Sequence, residues 1–258
     1  MASHQATENR GHERALVLVK ALPHPGRKND ETVCCAGVTP EGHWRRQYPI
    51  HFRQVGVPFK RWDWIEYDWA TPSDDPRPES RRVQDNTVKI SGKLAEGERA
   101  AFMNRISVDS TAAAAAAGRT LALIRPVTSR FSWVRKPVEQ VEKERLANEK
   151  AAKQTSLFGQ DIVAMVPCPY EFKFAYTTAD GKAHNSTCGD WETSATFARF
   201  RRQYGETGAL NRMGTIFNEE YPTKGMMFAM GTHSRWPGSW LLVGVIRVDA
   251  VAQPDLGI

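Results

Sequence analysis

Nucleic acid asks a protein for cations to meet its phosphates and flat faces to meet its bases. Both residue types crowd the first third of this sequence. Trp44, Arg45, Arg46, Arg53, Lys60, Arg61 and Trp62 fall within 19 positions, and Arg81 and Arg82 follow after a proline-rich stretch. From His43 to Arg61 there are five Lys and Arg and no acid, so the positive field is local and a polyanion feels it there. A base stacked on an aromatic ring contributes about 1–3 kcal/mol, and a guanidinium can serve ring and phosphate alike. The competing reading makes the tryptophans core and the arginines a solvated surface. It holds for some of them, because a strand alternates faces and half of Trp62 to Trp69 must point inward.

Three smaller constellations compete for the chemistry. Asp161 with Glu171 and Lys173 has the outline of the D…ExK pattern of metal-dependent nucleases, in which two carboxylates hold Mg²⁺ and the lysine orients water. On a strand Glu171 and Lys173 share a face, so a solvent-facing ion pair explains them equally. Cys168, His184 and Cys188 lie across one expected hairpin and offer Zn²⁺ three ligands, but the tight Cys-x-x-Cys pair usual in such sites is missing. Gln154, Leu157 and Phe158 are similar to the Gln-x-x-Leu-Phe peptide by which bacterial DNA-processing proteins dock on a sliding clamp. Two apolar side chains would fill a pocket there and the glutamine would anchor them; packing on the protein's own second lobe is the alternative. No GxSxG, Walker loop, HExxH or GxGxxG occurs, which argues against the corresponding hydrolases and dinucleotide enzymes.

The elements that must position these residues are mostly strands. Arg14 to Leu22, Glu31 to Thr39 and His43 to Ile50 read as strands, the last two joined by a Pro40-Glu41-Gly42 turn. Arg61 to Ala70 alternates, with Trp62 and Trp64 on one face and Ile65 and Tyr67 on the other. The prolines of 71–79 exclude regular structure. Lys93 to Ile106 predicts a helix, Ala112 to Ala117 a short one capped by Gly118, and Leu121 to Val127 the closing strand of a first lobe. Ten of the nineteen residues from 135 to 153 are charged, which reads as a solvated helical linker. Beyond it, Tyr170 to Thr177 and 182–188 form a hairpin about Asp180-Gly181. Two amphipathic helices follow, the first capped by Asp190, and strands at 224–231 and 239–248 close the lobe.

These elements predict an α+β protein: a disordered tail at 1–12, a β-rich, small OB-like barrel at 13–134, a charged helical linker at 135–159 and a smaller α+β domain at 160–258. Charge is concentrated in the first part, where residues 1–134 hold 20 Lys and Arg against 15 Asp and Glu. No stretch is long and apolar enough to span a bilayer, the start lacks the apolar core of a secretory signal, and four cysteines do not make a disulfide scaffold. A cytoplasmic protein with reduced thiols is expected.

Several segments together resemble prokaryotic proteins with OB-like barrels encountered near mobile elements and defence genes. They are the opening strand Ala15 to Leu22, Cys35-Ala36-Gly37-Val38, Gly42-His43-Trp44-Arg45-Arg46, the tryptophan strand, Asp190-Trp191-Glu192 and Trp240-Leu241-Leu242-Val243-Gly244. The resemblance implies association with nucleic acid inside the cell and supplies no catalytic residues. The expectation is a nucleic-acid-binding accessory protein, a subunit of a bacterial DNA-targeting or defence assembly, with DNA or RNA, other subunits or a sliding clamp as partners. It has no membrane contact and no required cofactor, and catalysis is not expected. A metal-dependent nuclease using Mg²⁺, a Zn²⁺ site, and a pure protein-interaction module are the alternatives.

Overall fold

The computed structural model describes residues 9–21, 24–25, 31–50, 59–156 and 164–248. The first sheet contains β1 (Arg10–Lys20), β2 (His24–Pro25), β3 (Glu31–Val38), β4 (Trp44–Ile50), β5 (Asp63–Ala70), β6 (Ser80–Val83) and β7 (Lys89–Lys93). Five of these strands close into a barrel in the order β1-β3-β4-β6-β5, because β1 also pairs with β5. β1 can serve both neighbours because it is long. Arg10 to Leu16 pair antiparallel with β5, and Leu16 to Lys20 pair with β3 across an irregularity at Val17–Val19. β4 and β6 run parallel; the other barrel pairs are antiparallel. Arg10 to His12, expected in the tail, thus belong to the barrel.

Strand alternation sorts the barrel residues onto two faces. Ala15, Val17, Cys35, Ile65 and Tyr67 fill the interior, while Leu16, Leu18, Val38, Trp44 and Trp64 point outward yet are buried too. Their cover is α1 (Glu96–Ile106) and the sheet of the second lobe. After α1 come β8 (Ser107–Val108), α2 (Thr111–Ala116), β9 (Leu121–Ile124), β10 (Thr128–Arg135) and α3 (Val138–Ser156). Gly118 ends the alanine helix at φ 69°, a left-handed conformation that glycine adopts at little cost.

The remaining elements are β11 (Tyr170–Thr177), β12 (Ala183–Thr187), α4 (Trp191–Thr215), a π-helical turn at Ile216–Glu220, α5 (Tyr221–Lys224), β13 (Met226–Thr232) and β14 (Trp240–Arg247). The two helices expected here are the two halves of α4, which meet at a kink where Gly205 leaves helical geometry at φ 71°. β9, expected to finish the first lobe, pairs antiparallel with β13 and parallel with β8, in the sheet order β14-β13-β9-β8. Its four apolar residues have no polar face to offer solvent, so it occupies an interior position. β10, whose residues 128–134 were expected to end the first lobe, pairs with β11. The sheets therefore divide near residue 107 and not at 134.

β13 is buried along its whole length because it is the middle layer. Met227 and Ala229 face the barrel, and Phe228 and Met230 face a second core with Phe131, Phe174, Phe197 and Phe217. Gly244 permits a close approach between the lobes: a Cβ there would lie 2.8 Å from Val19 Cγ2. Among the described residues no helix is long and apolar enough to cross a membrane.

Candidate nucleic-acid interface

The basic and aromatic residues singled out in the sequence do not form one exposed face. Trp44 is 4% exposed and packs in the core between barrel and second lobe. Arg46 is 6% exposed; its guanidinium donates to Thr120 Oγ1 at 3.1 Å and to Thr120 O at 3.2 Å. Glu79 accepts from Thr120 N and Oγ1 in turn, which completes a buried polar joint between the lobes. Arg45 donates through Nε to Glu13 Oε2 at 2.8 Å. Arg81 lies over the Trp69 ring at 4.1 Å with its Nε 3.5 Å from Glu13. Arg82 is exposed and pairs with Asp74 at 3.1 Å. Arg53 lies outside the described residues. The physical cause is simple: the outer faces of β3 and β4 are covered by the second lobe, so Trp44 is core and Arg46 an inter-lobe tie.

Lys60, Arg61 and Trp62 are brought together, and with partners that no local pattern announced. They form one wall of a cleft of about 430 Å³ between the lobes. Lys20 at the end of β1 and Arg99 and Ala100 on the first turns of α1 line it from the barrel side. Glu192 at the start of α4, Tyr221 on α5 and Arg247 at the end of β14 line it from the other. Five cations thus face two carboxylates, Glu96 and Glu192.

Arg61 builds this cleft rather than serving a ligand. Its Nε donates to Leu18 O at 2.9 Å, Nη1 to Val245 O at 3.0 Å, and Nη2 reaches Asp190 Oδ1 at 3.5 Å. Asp190, 1% exposed, caps α4 by accepting from Glu192 N and also accepts from Thr193 Oγ1 and Val245 N. Burial raises its pKa, against the opposing pull of Arg61. Burial likewise raises the Tyr221 phenol.

Trp62 carries the one non-glycine positive φ of the described residues, 76°. For a bulky side chain this conformation is an outlier, held here because Trp62 N donates to Val17 O at 2.9 Å and its carbonyl accepts from Leu94 N at 2.8 Å. The strained backbone directs the indole into the cleft wall, with the Arg99 guanidinium 4.8 Å from the ring centre. Arg99 Nε is a buried donor without a hydrogen-bond partner among the described residues.

The other candidates separate. Glu171 and Lys173 share a face of β11 and approach to 3.9 Å, a half-exposed ion pair; Asp161 lies outside the described residues. Cys168, His184 and Cys188 are not gathered: among the described residues no group of three or more His, Cys, Asp or Glu is placed to hold a metal ion. His184 stacks on Tyr176 at 5.0 Å and bonds Thr178 Oγ1 at 3.1 Å, while the Cys188 thiol donates to Thr193 Oγ1 and is pushed up to about 12, chiefly by burial. Gln154 falls in the last turn of α3; its side chain, Leu157 and Phe158 lie outside the described residues.

Sequence reasoning missed Lys20, Arg99, Arg247 and Tyr221, and took Glu192 only as part of the Asp190-Trp191-Glu192 helix start, because the five come from elements far apart in the chain. The Lys60-Arg61-Trp62 run was the only local signal.

Residues 11–107 match a family model described as Domain of unknown function (DUF8758). Residues 102–255 match one described as Domain of unknown function (DUF8757). The two matches meet in α1, where the sheets also divide. No curated protein matches the sequence.

Proposed function

The chain belongs to the family described as Domain of unknown function (DUF8757), and for this member we propose a nucleic-acid-binding accessory protein whose ligand enters the cleft between the lobes. The observation that carries the reading is the cleft's charge and shape: four cations besides the Asp190-paired Arg61 stand against two carboxylates around an indole. Phosphate oxygens are drawn to such a field, and a half-enclosed site with low-dielectric walls strengthens it.

The barrel supports the same reading. Its order β1-β3-β4-β6-β5, closed by β1–β5 and with β4–β6 parallel, fits an OB-like topology, a fold that often hosts oligonucleotides. In such barrels the ligand usually lies on the second and third strands and the adjoining loops. The corresponding strands here, β3 and β4, contribute Ala36, Val38 and Trp44 to the inter-lobe core, so the landing site moves to the cleft. Work within a larger DNA-targeting or defence assembly belongs to the same proposal.

The test is fluorescence anisotropy of labelled single- and double-stranded oligonucleotides across a salt series, comparing wild type with Lys60→Ala/Arg99→Ala. The variant should bind at least tenfold more weakly. The slope of log K against log salt should shrink by about 1.4 for single strands if each lost cation met one phosphate. Equal binding by the two proteins at low salt rejects the cleft as the site.

A further inference from the structure

We infer that the cleft receives a single nucleotide unit carrying a phosphate, either a free nucleotide or the phosphorylated end of a strand, and not the side of a duplex. This inference rests on the part of the reading above that makes the cleft an anion site, and names what occupies it. A cleft of about 430 Å³ falls among pockets that enclose one small ligand, which span roughly 300–1,000 Å³, and a duplex cannot enter such a space.

The lining matches the parts of one nucleotide. Arg99 Nε is a buried donor without a partner among the described residues, and an unpaired buried donor is costly until an acceptor reaches it. Because that atom is closed off from solvent, a phosphate oxygen reaches it only when the guanidinium turns off the Trp62 ring toward the cleft, and Lys60 stands exposed in the same cleft to share the charge. Trp62 offers an aromatic surface, and its strained main chain, tied to Val17 and Leu94, is the kind of outlier found at ligand clamps. Glu96 and Glu192 would repel a run of successive phosphates. They suit a ligand with one anionic end and hydrogen-bond donors elsewhere, such as sugar hydroxyls or a base amine.

Three titrations test this. Adenosine 5′-monophosphate is titrated by calorimetry into wild type, Lys60→Ala and Trp62→Phe, with thermal unfolding as the folding control. Decathymidylates with a 5′-phosphate or a 5′-hydroxyl are compared by anisotropy, and the monophosphate is used as competitor against each. The expected result is saturable binding of the monophosphate, at least tenfold weaker in folded Lys60→Ala, with displacement of the oligonucleotide. Preference for the 5′-phosphorylated strand identifies a strand end. Binding of the monophosphate with no oligonucleotide binding identifies a free nucleotide, sustains the inference and removes the nucleic-acid reading. Oligonucleotide binding that depends on Lys60 yet is not displaced by millimolar monophosphate overturns the inference and leaves that reading standing. Binding of neither ligand overturns both.

Discussion

The Arg61 guanidinium reaches the buried Asp190 carboxylate at 3.5 Å while donating to Leu18 O in the barrel and Val245 O in the second lobe. One side chain thereby ties β1, β14 and the start of α4 together, behind the cleft whose wall it also forms. Neither ion tolerates loss of the other, because a charge left alone in a buried site has no water to solvate it.

Removing the acid should therefore be costly. Asp190→Ala leaves Arg61 uncompensated and removes the α4 cap, with an expected destabilisation of about 3–5 kcal/mol. Asp190→Asn keeps an acceptor oxygen for part of the network and should cost distinctly less. Urea unfolding of the three proteins measures the difference; equal stability of wild type and Asp190→Ala would show that the tie contributes nothing.

Arg46 and Arg82 should behave oppositely although both were candidates for phosphate contact. Arg46 is buried against Thr120, so Arg46→Ala strands the Glu79–Thr120 joint and should cost about 2 kcal/mol or more. Arg82 is 54% exposed in its pair with Asp74, and Arg82→Ala should stay within about 0.5 kcal/mol. Thermal denaturation that ranked them the other way would contradict the burial described here.

Acid sensitivity should arise near the proline-rich loop. Burial opposes ionisation of Asp75, but hydrogen bonds from Arg77 and Ser80 and the Arg77 charge outweigh it and hold the carboxyl at about 2. A depressed carboxylate stabilises the fold above its unfolded pKa, and this stabilisation is lost as pH falls from about 4 to about 2. After allowance for solvent screening the effect should be on the order of 1 kcal/mol. Stability measured against pH should show a shallower decline over that window in Asp75→Asn than in wild type.

Glycine at 37 is required by space. A Cβ there would stand 2.7 Å from Leu16 O, a backbone atom held in the β1–β3 ladder, with the buried Gln47 amide at 3.2 Å behind it. Gly37→Ala should destabilise by roughly 1–3 kcal/mol, as overpacking does, whereas Gly238→Ala, with open space around it, should not. Comparable unfolding midpoints for the two variants would refute the steric account.

Much of the architecture was legible in local pattern. The β3–β4 hairpin, the β11–β12 hairpin about Asp180-Gly181, the alanine helix closed by Gly118 and the Asp190 cap each rest on residues within a few positions of one another. Local rules of turn, cap and period act at that range, so composition and order suffice for them. What local pattern left open was the destination of an apolar strand. Leu121 to Ile124 reads the same whether it closes a barrel or joins β13, and only packing partners distant in sequence decide.

The candidate site divides in the same way. The amino-acid sequence by itself determined a local positive field in the first lobe and a run, Lys60-Arg61-Trp62, able to meet an anion. The tertiary structure alone decided that Trp44 and Arg46 are buried, that Arg61 is a strut, and that Arg99, Glu192, Tyr221 and Arg247 complete the cleft. Exposure is a property of what covers a face, and the cover on β3 and β4 comes in part from a strand about two hundred residues away, beyond the reach of any periodicity.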